Sequence, residues 1–103
     1  MNEENGKKQA VALTYNNEED TAPKVIAKGK GFVADELLKE ALKHNIPIQE
    51  DSSLVQLLSQ LEINESIPEE LYEVIAEIFA FIYRIDKNKT LEIESKSKNS
   101  LSP

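Results

Sequence analysis

The sequence contains no cysteine, no tryptophan and only three glycines, and aromatic residues fill 6% of its 103 positions. Without cysteine, disulfides and thiolate metal sites are excluded. No run approaches the roughly 18 to 20 consecutive apolar residues that a membrane-spanning helix requires. The start of the chain, with Glu3 and Glu4, lacks the basic-then-apolar form of a secretory signal. Basic surface is scarce too. The formal net charge is −7; residues 87–103 hold four lysines and two glutamates, and setting that +2 aside leaves −9 for residues 1–86. An acidic body of this kind repels phosphate backbones, which excludes nucleic acid, and basic protein surfaces are its natural partners. The reading is a soluble, cytoplasmic protein with neither cofactor nor metal.

What is present suffices for one small domain. The apolar fraction is 40%, enough for a modest core. Residues 9–15 (QAVALTY) form a short apolar run ended by polar residues 16–20, which predicts a strand and a loop. Residues 24–28 (KVIAK) predict a second strand, ended by Gly29, Lys30 and Gly31. Ala34, Leu37, Leu38, Ala41 and Leu42 follow at helical spacing, with Asn45 as a left-handed C-cap and Pro47 beyond it. Residues 46–50 predict a brief third strand. Asp51, Ser52 or Ser53 can cap a short helix carrying Leu54, Leu57, Leu58 and Leu61. The order strand, strand, helix, strand, helix, helix places the fold among α/β (α+β) domains, with a small mixed sheet of three to four strands wrapped by three helices. A crossover through the first helix would make the second and third strands parallel. The expected boundaries are a flexible N-terminus over residues 1–8, the domain over 9–86 and a disordered tail over 87–103.

The most informative stretch is residues 67–86, a helical pattern with two apolar rows. Leu71, Ile75, Ile78, Ile82 and Ile85 form a core-facing row. Tyr72, Ala76, Phe79 and Tyr83 follow one position later, roughly 100° round the axis. Either the first helix covers this second row or it joins Ala22 and Pro23 in a surface patch suited to short secreted sequences. Ser66 with Glu69 makes a capping box for this helix, and Pro68 equally suits its first turn. Glu65, Glu69, Glu73 and Glu77 stand four apart, a pattern that reads as a solvated face or as an acidic docking strip.

Other constellations are weaker. His44, the single histidine, sits at a helix C-terminus with no nucleophile or second acid–base group to partner it. Residues 28–31 (KGKG) lack the frame of a phosphate loop and read as a strand end and turn. Two sequons, at Asn64 and Asn88, have no secretion signal to make them meaningful. No catalytic geometry is visible.

With these elements placed, four motifs occur in order: residues 10–13 (AVAL), 22–29 (APKVIAKG), 45–51 (NIPIQED) and 67–72 (IPEELY), followed by Tyr83 and Arg84. Over residues 9–86 the chain resembles the cytoplasmic domain of the flagellar biosynthetic protein FlhB and its type III secretion relatives. The resemblance implies a compact sheet wrapped by helices below an export gate, contacting export components and secreted subunits. On that footing the expected role is a non-catalytic protein-interaction module of the export apparatus, with Ala22, Pro23, Ala76, Phe79, Glu73 and Glu77 as the partner-binding residues. The competing reading is a small cytosolic adaptor or regulatory domain of the same fold with no tie to secretion.

Two departures shape the expectation. Members of the resembled family have a membrane-spanning half, and this chain has none. They also carry Asn-Pro-Thr-His before the strand that begins here at Gln9, where this chain has Asn5, Gly6, Lys7 and Lys8. In the family the asparagine attacks its own carbonyl carbon and the chain breaks before proline. Glycine instead leaves the following amide nitrogen free to attack the Asn5 side chain, which favours deamidation over cleavage. Mass spectrometry after long incubation should therefore show full-length chain, with or without deamidation; accumulation of a species beginning at Gly6 would contradict this. In the family a strand precedes the cleavage motif, so its loss would leave the first strand with an open edge for β-augmentation, unless N-terminal residues or the tail cover it.

Overall fold

Alternation along QAVALTYN sends Val11 and Leu13 to one face of a strand and Ala10 and Ala12 to the other. In the computed structural model, which describes residues 8–16, 18–82 and 88–95, this stretch is β1 (Gln9–Asn16). β2 (Lys24–Lys30) runs antiparallel to it, with a bulge where the register shifts between Ala12 and Leu13. α1 (Phe32–Lys43), β3 (Ile48–Glu50), α2 (Ser52–Leu58) and α3 (Tyr72–Ile82) follow, and β4 (Asn88–Glu94) completes the sheet. The strand order is β2-β1-β4-β3, with β4 antiparallel to β1 and parallel to β3. Among the described residues the fold is thus a mixed α/β sheet of four strands with three helices. β2 and β3 point the same way, as the crossover reading requires, but they form opposite edges with two strands between them.

The two faces of the sheet differ. On one, Val11, Leu13, Val25, Leu91 and Ile93 are fully buried with Leu54, Val55 and Leu58 of α2 and Ile75 and Phe79 of α3. On the other, α1 lays Ala34 and Ala41 over Ala10 and Ala12, all buried. Small residues set this close approach. A Cβ on Gly29 would overlap the Val33 side chain, so the strand beneath the first turn of α1 has room for glycine only.

The caps follow local chemistry. Gly31 turns the chain into α1 at φ 55°, a left-handed value that favours glycine. Asn45 ends the helix at φ 58°, and the Ile46 amide reaches back to the Ala41 carbonyl at 2.8 Å, a Schellman closure. Of the three candidates for the α2 cap, Asp51 takes the role, accepting from the Leu54 amide at 3.0 Å. α3 is entered through a 3₁₀ turn (Glu69–Leu71) with Pro68 just before it and no side-chain cap, so the Ser66–Glu69 box does not form. Ser66 instead bridges to Lys24 beside β2.

The tail expectation is corrected. Seven residues of the stretch read as disordered are β4, paired with β1 from Ala10↔Glu94 to Asn16↔Asn88 and with β3 from Ile48↔Glu92 to Glu50↔Glu94. The same pairing fills the β1 edge expected to lie open, from the tail side. Composition summed over seventeen residues hid the alternation in TLEIE, where Leu91 and Ile93 alone supply the buried apolar side chains. The expected flexible N-terminus needs one amendment: Lys8 is buried and ion-paired to Asp35 at 2.8 Å, whereas residues 1–7 lie outside the described residues, with residues 87 and 96–103.

Candidate functional site

The loop after β1 is held by its own polar groups. The Asn16 carbonyl accepts from the amides of Glu19 and Asp20 at 3.0 and 2.8 Å, and the Asn16 amide donates to the Asp20 carboxylate at 3.0 Å. This closes a tight turn and delivers Thr21, Ala22 and Pro23 in a fixed path. The Ile67 amide then donates to the Pro23 carbonyl at 2.9 Å, tying the loop to the segment that leads into α3. Proline fixes φ and removes a donor, so this short run presents a rigid apolar wall.

Across from it stands α3. Ala22, Pro23, Ala76 and Phe79, far apart in sequence, come together around one cavity of about 280 Å³ with Tyr15, Thr21, Tyr72 and Ala80. Phe79 forms its floor: the ring is buried in the core and lies 6.1 Å from Tyr15, tilted by 44°. Tyr72 and Ala76 rise to the surface as its exposed wall. The second apolar row therefore divides, because its arc is wider than the sheet can cover. Phe79 joins Ile75 in the core, Tyr72 and Ala76 face the cavity, and Tyr83 lies outside the described residues. Ile75 of the first row is buried, and Leu71, Ile78 and Ile82 are partly buried against the core cluster; Ile85 is outside the described residues.

Glu73 and Glu77 are exposed on α3. Each follows a cavity-lining residue in sequence, so they stand about 100° round the helix from the Tyr72–Ala76 wall and flank it. α3 contains no lysine or arginine, and their like-charge spacing costs about 0.2 to 0.5 kcal/mol. An apolar recess bordered by uncompensated carboxylates can hold a short apolar segment and attract basic residues beside it.

Elsewhere, a larger recess of about 490 Å³ between β2 and the end of α2 is lined by Gln9, Lys28, Lys30, Gln56, Ser59 and Gln60, with Gly29. The Lys28 ammonium there already donates to the carbonyls of Ser59 and Leu61 at 3.1 and 2.6 Å. Lys28, one of the two lysines of the KGKG stretch, thus caps the end of α2. His44 is exposed and sits 3.3 Å from the Glu40 carboxylate on its own helix. Among the described residues, no group of three His, Asp or Glu side chains could hold a metal ion, and no helix is long and apolar enough to cross a membrane. Sequence reasoning missed Tyr15, Thr21 and Ala80 as lining residues. Tyr15 was legible as the third member of the Val11, Leu13, Tyr15 alternation, but nothing local marked Thr21.

Known proteins match this chain over most of its length. The model of the FlhB HrpN YscU SpaS family matches residues 4–82. The Bacillus subtilis protein YlqH is 52% identical over 88 residues, covering 85% of this chain and 95% of YlqH. The flagellar biosynthetic protein FlhB of B. subtilis is 38% identical over 76 residues, covering 73% of this chain and 21% of FlhB. FlhB of Escherichia coli K12 is 35% identical over 79 residues, covering 76% of this chain. The chain thus spans about a fifth of the length of these FlhB relatives, whereas it spans nearly all of YlqH.

Proposed function

Because the chain belongs to the FlhB HrpN YscU SpaS family, we propose that it is a non-catalytic interaction module of the flagellar or type III export apparatus, binding export components or export substrates without cutting itself. The observation that carries this reading is the recess between Thr21–Pro23 and α3, apolar in its lining and bordered by Glu73 and Glu77. Its occupant is a short segment with one or two apolar side chains to fill the recess and a basic residue beside them. Burial of such side chains supplies the affinity, at about 25 cal/mol per Å². The acidic rim speeds encounter, and its contribution fades with salt.

Ala76→Asp is the direct test. Ala76 is exposed, so the substitution puts a charge into the recess without disturbing the core. Pull-downs from a flagellated bacterium are expected to recover export-gate, export-ATPase or hook proteins with the native chain, and at least tenfold less of them with Ala76→Asp, while the circular dichroism spectrum stays unchanged. Equal recovery by a folded Ala76→Asp chain would sink the reading. Glu73→Lys with Glu77→Lys should weaken capture at low salt and matter little at high salt.

A further inference from the structure

β4 carries a feature that the binding recess does not use. Glu92 and Glu94 lie on the α1 face of the sheet, beside Ala12 and Ala10, and each is only 2% exposed. Among the described residues, one oxygen of each, Oε2 of Glu92 and Oε1 of Glu94, is buried with no hydrogen-bond partner. A lone buried carboxylate with an unsatisfied oxygen is costly, and the ordinary remedy is to keep its proton. The charged groups around the pair do not rescue it. Among the described residues the nearby cation is Lys8, from the segment before β1, and its ammonium is already engaged with Asp35 of α1 at 2.8 Å. Glu50 of β3 pairs beside Glu94, and β1 and β2 offer only Ala10, Ala12, Ala27 and Gly29 on this stretch of the face.

We propose that Glu92 and Glu94 form a proton-held latch: protonated, they let β4 close the sheet beneath α1, and deprotonated, they loosen the whole fold. Burial pushes Glu92 from its ordinary 4.5 up to about 7, with the Glu94 carboxyl adding to the rise. Glu94 is raised as well, by burial first, with Lys8 opposing the shift and Glu50 and Asp35 reinforcing it. The sign follows from the two states. Below about pH 4.5 Glu92 holds its proton folded or unfolded, and the latch is fully in place. Between about 4.5 and 7 the unfolded chain has released the proton and the folded chain has not, so each rise in pH favours unfolding. Above about 7 both are ionised and the loss levels off. The responsive window lies on the acid side of neutrality, which makes the fold tighter on mild acidification.

Denaturant unfolding of the full chain tests this. The folding equilibrium constant should fall about 40-fold from pH 5 to pH 7, and only about twofold more by pH 8. Glu92→Gln, isosteric with the protonated side chain, should be more stable than the native chain at pH 7.5 and lose most of the slope. A direct reading does not depend on the variant folding: the Glu92 carboxyl carbon resonance should titrate near neutrality in the native chain. An ordinary titration near 4.5, or a Glu92→Gln chain with an unchanged pH profile, would overturn the proposal.

Discussion

A chain ending at Lys87 is expected to be unfolded. The strand it would lose is interior, with β1 on one side and β3 on the other. Its removal strips β1 of a seven-pair ladder and leaves the three residues of β3 with no neighbour in the sheet. It also takes Leu91 and Ile93, both fully buried, out of the main core. Deleting a single large core side chain costs about 2 to 5 kcal/mol, so these two alone remove about 4 to 10. The lost ladder adds about 1 kcal/mol for each hydrogen bond that is not replaced. A domain of this size holds about 5 to 15 kcal/mol in all. Far-UV circular dichroism and thermal melting of residues 1–87 should therefore show no cooperative transition. A sharp melt close to that of the full chain would mean that β1 and β2 with the helices suffice and that β4 is ornamental.

The same strand shows where the sequence was readable and where it was not. Local chemistry was legible. The alternation in β1, the Asn45 left-handed cap and the helical spacing of Ala34 and Ala41 are each set by a few neighbouring residues, and each has its place in the structure. The choice of Asp51 over Ser52 and Ser53 as the α2 cap was left open. Part of the recess lining was legible for a related reason: Ala22–Pro23 and the Tyr72, Ala76, Phe79 row carry a pattern with no obvious cover, whereas Tyr15, Thr21 and Ala80 were missed. β4 was not legible, because its pattern is misleading by type. Glutamate at the alternate positions signals solvent, yet Glu92 and Glu94 face inward under α1. Nor does any local feature specify that β4 should lie parallel to β3, some forty residues earlier, in place of the edge position that a terminal strand commonly takes. Pairing at that separation is settled by which arrangement buries Leu91 and Ile93, a property of the assembled sheet.

Phe79→Asp is expected to unfold the domain, which limits what that residue can say about binding. Its ring belongs to two structures at once. It closes the floor of the recess, yet it is 2% exposed and sits in the cluster with Leu13, Val25 and Ile75. Truncating such a ring to alanine costs about 3 to 5 kcal/mol, and an aspartate adds an unpaired buried charge to that loss. The alanine figure already includes the loss of the tilted contact with Tyr15. Together these approach the full stability of a small domain. Tyr72→Ala, on the exposed wall of the same recess, removes contact area for a ligand and leaves this cluster untouched. Thermal melts of the two variants should thus part widely, with Phe79→Asp unfolded near room temperature and Tyr72→Ala within a few degrees of the native chain. If Phe79→Asp melted normally, the ring would have to leave the core without harm, and the recess would be a surface patch through its full depth.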